Sequence, residues 1–298
     1  MKQYYPQTSM IVLCKLFGKT RHAWYDNKWR QQEEFLKEEI IIQLVLEIRK
    51  QLPATGTRKL MHMLQPRLAA HGLQAGRDYL FDLLAGHKLL VRTRKRKIIT
   101  TDSRHWMHKY SNLIKELEII RPEQVWVSDI TYIRLINGFI YLSLITDAYS
   151  KKVVGFNLYK TLETEGCIIA LQMALENRIN KHLPLIHHSD RGCQYCCRDY
   201  VDLLCQNNIP ISMTNNGDPY ENAIAERLNG ILKTEFNLYS SQFNYEQTCK
   251  LVEESILNYN QIRPHASCDY LTPNQAHLTK GPLKKRWKNY YKQQITNT

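Results

Sequence analysis

Hydrophobic positions repeat in two different ways along this chain, and the change falls near Pro122. Up to about residue 90 the spacing is helical. Residues 10–25 read as a short helix carrying Ile11, Val12, Leu13, Leu16 and Phe17, a turn at Gly18, and a second helix with Arg21, His22, Trp24 and Tyr25. Glu33, Glu34, Glu38 and Glu39 predict a new helix N-terminus, where carboxylates meet the positive end of the helix dipole. Behind them Ile40, Leu44 and Ile48, with Ile41 and Val45, repeat at about 3.6 residues as far as Lys50. Pro53 and Gly56 break that helix, residues 58–68 form another amphipathic segment, Gly72 and Gly76 break again, and residues 78–84 make a third helix closed by Gly86. Short helices joined by tight turns predict a helix-turn-helix region; a plain helical hairpin is the competing reading.

Past Pro122 the period becomes that of a strand. Residues 125–133 are β-rich, Asn137-Gly138 is a hairpin turn signal, and residues 139–146 form a second β-rich run. A turn over 147–152 leads into a third strand over 153–158, so three antiparallel strands in order are expected. A helix over 162–178, a short buried strand over 184–188, a helix over 200–207 and a strand over 209–213 follow. After the loop Asn215-Asn216-Gly217-Asp218-Pro219 come two helices, 222–236 and 245–259. A meander followed by alternating helix and strand predicts a mixed five-stranded α/β sheet. The expected division is a helical region at 1–100, a linker at 101–120, an α/β core at 121–275 and a basic tail at 276–298.

Charge sharpens this division. The 298 residues hold 41 Lys+Arg against 28 Asp+Glu. Residues 1–120 carry 22 basic and 11 acidic side chains, whereas residues 121–298 carry 19 and 17. A basic segment ahead of a near-neutral one fits a polyanion-gripping module attached to a body with another task. Arg58 and Lys59 open one predicted helix, and the run Arg92, Arg94, Lys95, Arg96 and Lys97 follows the last one, where it would meet phosphates if that helix lies in a groove. A solvated basic linker is the bland alternative for that run. No apolar run approaches the ~18 residues that span a bilayer, and no secretory pattern follows Met1, so a cytoplasmic, nucleoid-associated protein with no membrane partner is expected. The eight cysteines then read as thiols. Cys193-x-x-Cys196 lacks the second paired knuckle of a structural zinc site.

Three carboxylates stand out for chemistry. Asp129 lies mid-strand between apolar neighbours, a costly place for an acid without a partner. Asp190 ends the buried run from Leu185 and opens into Arg191-Gly192, at the C-terminal end of a strand where α/β sheets place their sites. Glu226 lies on the helix after the Asn-Asn-Gly loop. Hard oxygen ligands from three elements suit Mg²⁺ or Mn²⁺. Asp147, Asp218, Glu221 and Glu235 compete for the same roles, and composition does not choose among them.

Order and spacing carry a resemblance. Asp129, then His188-Ser189-Asp190-Arg191-Gly192-x-Gln194-Tyr195, then Glu226 after 35 intervening residues resemble the Asp, Asp, 35, Glu pattern of the integrase-core superfamily. Asn258-Tyr259-Asn260-x-x-Arg263-Pro264-His265 and Leu271-Thr272-Pro273 resemble the closing motif of the second-frame transposases of bacterial insertion sequences. Gly56-x-Arg58-Lys59-Leu60 is similar to the helix-turn-helix segment of those proteins, so the likeness spans roughly residues 8–280. Departures are Cys193, Cys196 and Cys197, where small hydroxyl residues are more usual, and Glu221, where an Asp is usual.

The resemblance implies a ribonuclease-H-like core behind a helix-turn-helix region, with Asp129, Asp190 and Glu226 as catalytic residues and metal ligands. It implies Mg²⁺, with Mn²⁺ as substitute and two ions in the site. The implied activity is DNA strand cleavage and strand transfer at the ends of an insertion element, without a covalent protein intermediate. Element-end DNA and target DNA are the implied partners, with a homo-oligomer on paired ends and a first-frame transposase protein or fusion. Arg58, Lys59, Arg92, Arg94, Lys95, Arg96, Lys97 and Arg191 are the candidate DNA contacts. The alternative is a catalytically decayed DNA-binding protein that occupies element ends and represses transposition. A ribonuclease or junction nuclease on the same core is a third reading.

Overall fold

A computed structural model describes residues 3–91, 107–215, 222–238, 243–284 and 286. They fall into two compact units, residues 3–50 with 56–91, and residues 51–55 with the described residues from 107 onward. Among the described residues no helix is long and apolar enough to cross a membrane.

The first unit is helical: α1 (Met10–Leu16), α2 (Arg21–Gln51, whose last residue already belongs to the other unit), α3 (Thr57–Ala70) and α4 (Arg77–Gly86). The chain turns between α1 and α2 at Gly18, whose φ of +62° suits glycine. Thr20 Oγ1 accepts from the Ala23 N–H at 3.1 Å and sets the start of α2. The helix break expected before Glu33 is absent: α2 runs unbroken for 31 residues. Neither Gly nor Pro occurs between Gly18 and Pro53, so nothing interrupts the backbone ladder. The acids serve side-chain contacts instead: Glu34 pairs with Lys37 at 3.4 Å, and the Lys37 ammonium stands 4.4 Å from the centre of the Tyr79 ring in α4. Ile41, Val45 and Ile48 of α2 are buried, as are Leu60, Leu64 and Leu68 of α3 and Leu80, Leu83 and Leu84 of α4. Each set recurs at three- and four-residue intervals, one face per helix.

The second unit is built on the expected mixed five-stranded sheet, with β1 (Val125–Leu135), β2 (Gly138–Asp147), β3 (Val153–Tyr159), β4 (Ile186–Ser189) and β5 (Ile211–Met213) in the order β3-β2-β1-β4-β5. β1, β2 and β3 pair antiparallel; β4 and β5 extend the sheet in parallel from β1. This is the ribonuclease-H-like arrangement. Around it lie α5 (Thr164–Glu176), α6 (Cys193–Cys196), α7 (Arg198–Gln206), α8 (Ala223–Glu235), α9 (Tyr245–Gln261) and α10 (Pro273–His277). The short α6 and α10 lie below the length at which periodicity is readable.

One apolar cluster joins Trp126 and Ile145 of the sheet to Leu171 of α5 and Tyr200 and Leu204 of α7; another joins Val125 and Val127 to Ala225 of α8. Residues alternate along β1 between the two clusters, so both of its faces are buried and Val125-Trp126-Val127 reads as a continuous apolar run. β3 and α5 approach closely at Gly155, where a Cβ would lie 2.1 Å from the Ala170 carbonyl oxygen. Residues 107–120 of the expected connector pack on this unit: Met107 and Tyr110 against the first cluster, Ile114, Leu117 and Ile119 against the second.

Candidate active site

Sheet register brings the first two acids together. β1 and β4 run parallel with Val125 opposite Ile186 and Ser128 opposite Ser189, the last pair of that ladder. The residues that follow this pair are Asp129 and Asp190. Asp129 continues along β1, paired now only with Leu144 of β2, while the chain leaves β4 at Asp190. Both side chains are half-buried where the sheet opens.

Their electrostatics record the closeness. Burial, and then the Asp190 charge, push the Asp129 carboxyl up to about 8, and Glu226 adds a smaller push in the same direction. Asp129 Oδ1 accepts from the Ile130 N–H at 3.0 Å, and its Oδ2 accepts from Asn229 Nδ2 at 2.6 Å. Asp190 Oδ1 accepts from the Gly192 N–H at 3.0 Å. A Cβ on residue 192 would stand 3.1 Å from that oxygen, so glycine keeps this turn uncrowded.

Glu226 is exposed in the first turn of α8, and Asn229 lies buried one turn further on. Asn222, at the start of α8, donates to the Ser128 carbonyl at 3.2 Å and so holds the helix end against β1. Neither asparagine was singled out in the sequence. The signal for Asn229 was its place three residues after Glu226, on the same helix face.

The competing acids have other tasks. Asp147 is fully buried and accepts from the N–H groups of Glu123 and Ser150, both at 2.7 Å. Glu235 is paired with Arg263. Asp218 and Glu221 lie outside the described residues. His187 and His188 are core groups: His187 Nε2 meets Ser128 Oγ at 2.7 Å and Tyr200 Oη at 2.8 Å, and His188 Nδ1 meets Ser212 Oγ at 2.8 Å. Burial and the neighbouring His188 hold His187 down at about 3, so it is neutral. All eight cysteines are free; Cys193 is exposed, whereas Cys196 is buried with its Sγ 3.8 Å from Met213 Sδ.

Arg191 sits half-buried beside Asp190, while Arg58 and Lys59 open α3 in the other unit, Arg58 exposed and Lys59 half-buried. Arg92, Arg94, Lys95, Arg96 and Lys97 lie outside the described residues. Among the described residues no group of three His, Cys, Asp or Glu side chains closes tightly enough to hold a metal ion. The donor chemistry nevertheless fits a hard divalent cation: burial and the Asp190 charge both disfavour the Asp129 carboxylate, and a cation held by these oxygens would relieve that cost.

The Integrase core domain family matches residues 120–219, and a second family of the same description matches residues 207–273. An insertion element IS600 uncharacterized 31 kDa protein of Shigella sonnei is 32% identical over 267 residues, covering 88% of this chain and 96% of that one. The transposase for insertion sequence element IS629 of the same organism is 32% identical over 203 residues, covering 68% of this chain and 65% of that one. Among solved structures, the catalytic core domain of HTLV-2 integrase in complex with magnesium aligns with a TM-score of 0.43 at 19% identity, over 53% of this chain and 97% of that one. With a near-full-length relative, the integrase core match and the expected order of strands and acids all in agreement, the chain belongs to the insertion-sequence transposases of the integrase-core superfamily, enzymes that act on DNA.

Proposed function

We propose that this transposase cleaves and joins DNA strands at the ends of an insertion element, with Asp129, Asp190 and Glu226 as its catalytic carboxylates. The observation that carries the reading is the β1–β4 register, which sets Asp129 beside Asp190 at the open end of the sheet. Asp129 and Asp190 would hold Mg²⁺, or Mn²⁺ in its place, as a pair of ions, with the exposed Glu226 completing the set by a side-chain movement from α8. When bound, such ions stabilise charge on phosphate oxygens and ease deprotonation of the attacking oxygen.

Within the chain the division of labour is physical. The backbone donors at Ile130 and Gly192 fix one oxygen of each aspartate, so the pair is oriented before DNA arrives. Arg191, next to Asp190 in the chain, would meet a phosphate of the strand being cut. His187 is held neutral and hydrogen-bonded in the core, and so acts as support and not as a proton carrier. The reaction uses water and then a 3′-hydroxyl as attacking groups, so no side-chain nucleophile is required.

The helical unit, as a helix-turn-helix region, together with Arg58, Lys59 and the run from Arg92 to Lys97, would grip the element ends. A homo-oligomer on paired ends, target DNA and a first-frame transposase protein or fusion complete the working assembly.

The test is a plasmid carrying the coding segment with its native flanks, incubated with the full-length protein and Mg²⁺ or Mn²⁺, with 3′ ends mapped by primer extension. Discrete ends made by the wild type and not by Asp190→Asn are expected. Binding to the flanks with no metal-dependent cleavage, even when a first-frame protein is supplied, would overturn the reading.

A further inference from the structure

Asp129 has one donor on each oxygen, and the two come from different parts of the fold. The Ile130 N–H on Oδ1 belongs to β1 itself, whereas Asn229 Nδ2 reaches Oδ2 from α8 at 2.6 Å. Asn229 is 8% exposed, so water competes poorly for that bond. It stands three residues after Glu226, on the same face of α8. A slide or rotation of α8 therefore moves the third acid and the donor on the first acid together.

The type of donor matters as much as its place. A lysine or arginine here would neutralise Asp129 and compete with a divalent cation for it. An amide orients the carboxylate and leaves its negative charge available. Among the described residues the amide's own Oδ1 is buried with no hydrogen-bond partner, and the hydrogen bond that holds the group runs from its donor end to Asp129.

We propose that Asn229 is the positioning residue of the first acid, holding the Asp129 carboxylate in the orientation that receives a divalent cation and tying that orientation to the place of Glu226. The proposal rests on the reading of Asp129 as a metal-binding carboxylate. Partners that orient metal ligands are worth about 10- to 100-fold in metal affinity.

The experiment uses the full-length protein, without DNA, and follows the melting temperature as Mn²⁺ alone is added; cleavage of the flanked plasmid is measured in parallel. Asn229→Ala is expected to raise the Mn²⁺ midpoint about tenfold in both measurements while leaving the metal-free melting temperature nearly unchanged. If the alanine variant melts early, Asn229→Leu, which keeps most of the volume and removes the donor, carries the test. Asp129→Asn is run alongside. An unchanged midpoint in the position-229 variant, with Mn²⁺ response and cleavage both lost in Asp129→Asn, overturns the role of Asn229 alone. Retention of both in Asp129→Asn overturns the reading of the site, and the role of Asn229 falls with it.

Discussion

Arg263 donates from Nε and Nη2 to the two carboxylate oxygens of Glu235, at 2.8 and 2.9 Å, and pins the C-terminal end of α8 to the segment that follows α9. The guanidinium is 1% exposed and lies 5.6 Å from the centre of the Tyr259 ring. Neighbouring residues of the same motif make equally architectural contacts. Asn260 accepts from the Val153 N–H at 3.0 Å and donates to the Val153 carbonyl at 2.9 Å, while the Tyr259 hydroxyl donates to the Lys151 carbonyl at 2.8 Å. The Asn-Tyr-Asn to Arg-Pro-His string is thus a buckle with two ends: Tyr259 and Asn260 tie α9 to the start of β3, and Arg263 braces the C-terminal end of α8, the helix that carries Glu226 and Asn229.

Breaking that buckle leaves a carboxylate without its fork. Arg263→Leu should lower unfolding free energy by about 3 kcal/mol, read from urea titration. Arg263→Lys should recover less than half of the loss, because an ammonium does not match both oxygens. Equal stability of the lysine variant and the wild type would show that the paired geometry contributes little.

Substituting the acids should separate chemistry from stability. Asp129→Asn, Asp190→Asn and Glu226→Gln are each expected to cut strand cleavage by about 10²- to 10⁴-fold while DNA binding persists. Asp129→Asn should also raise the metal-free melting temperature at about pH 9, where the carboxyl is ionised beside Asp190, and by less at about pH 6, where it already carries a proton. Glu226→Gln, at an exposed position, should leave melting unchanged. A fall in melting temperature for Asp129→Asn would mean that its hydrogen bonds outweigh the repulsion.

The seating of α10 should depend on pH. His277 Nε2 stands 3.7 Å from Glu123 Oε1, and His277 Nδ1 meets Ser150 Oγ at 2.9 Å, which in turn donates to Asp147 Oδ1 at 2.7 Å. Burial raises the Glu123 carboxyl, but bonds from His277 and from the N–H groups of Ile179 and Asn180 outweigh it and hold it at about 2. For His277 burial works downward, and the bonds to Asp147 and Glu123 prevail and raise it. A depressed carboxylate stabilises above its unfolded value of 4.5 and loses that contribution as pH falls toward 2. A raised histidine stabilises fully below 6.5 and loses its contribution as pH rises through the folded value. The melting-temperature gap between wild type and His277→Gln should therefore be widest at about pH 5 to 6 and close on the alkaline side. A gap that grows with pH would reverse the assignment of charge to His277.

The basic run has its own signature. Replacing Arg94, Lys95, Arg96 and Lys97 by alanine should weaken binding to element-end DNA and make the slope of log affinity against log salt shallower by about 3 to 4, each phosphate contact contributing about 0.9. An unchanged slope, measured by anisotropy over a salt series, would make the run a solvated linker.

Much of this fold is local, and local features were legible. The Asn137-Gly138 turn, the helical stripes of α3, α5 and α9, and the β-rich run around Asp129 follow from propensity and period. The Leu-Thr-Pro string also has a local meaning, since Thr272 caps α10, with its Oγ1 accepting from the Gln275 N–H, and Pro273 takes the first turn. The expected break before Glu33 is absent because acidic side chains alone do not start a helix where no breaker residue precedes them.

By itself the sequence determined the order of helices and strands, the basic character of the first 120 residues, and the Asp129, Asp190 and Glu226 order and spacing that carry the family. Each depends on residue type and on near neighbours along the chain. Tertiary structure alone decided that Asp129 and Asp190 stand side by side, that Asn229 supports the first of them, that Asp147 and Glu235 are structural, and that Arg263 braces the helix carrying Glu226. Those relations join residues dozens of positions apart, and only strand register and helix packing bring them within reach of one another.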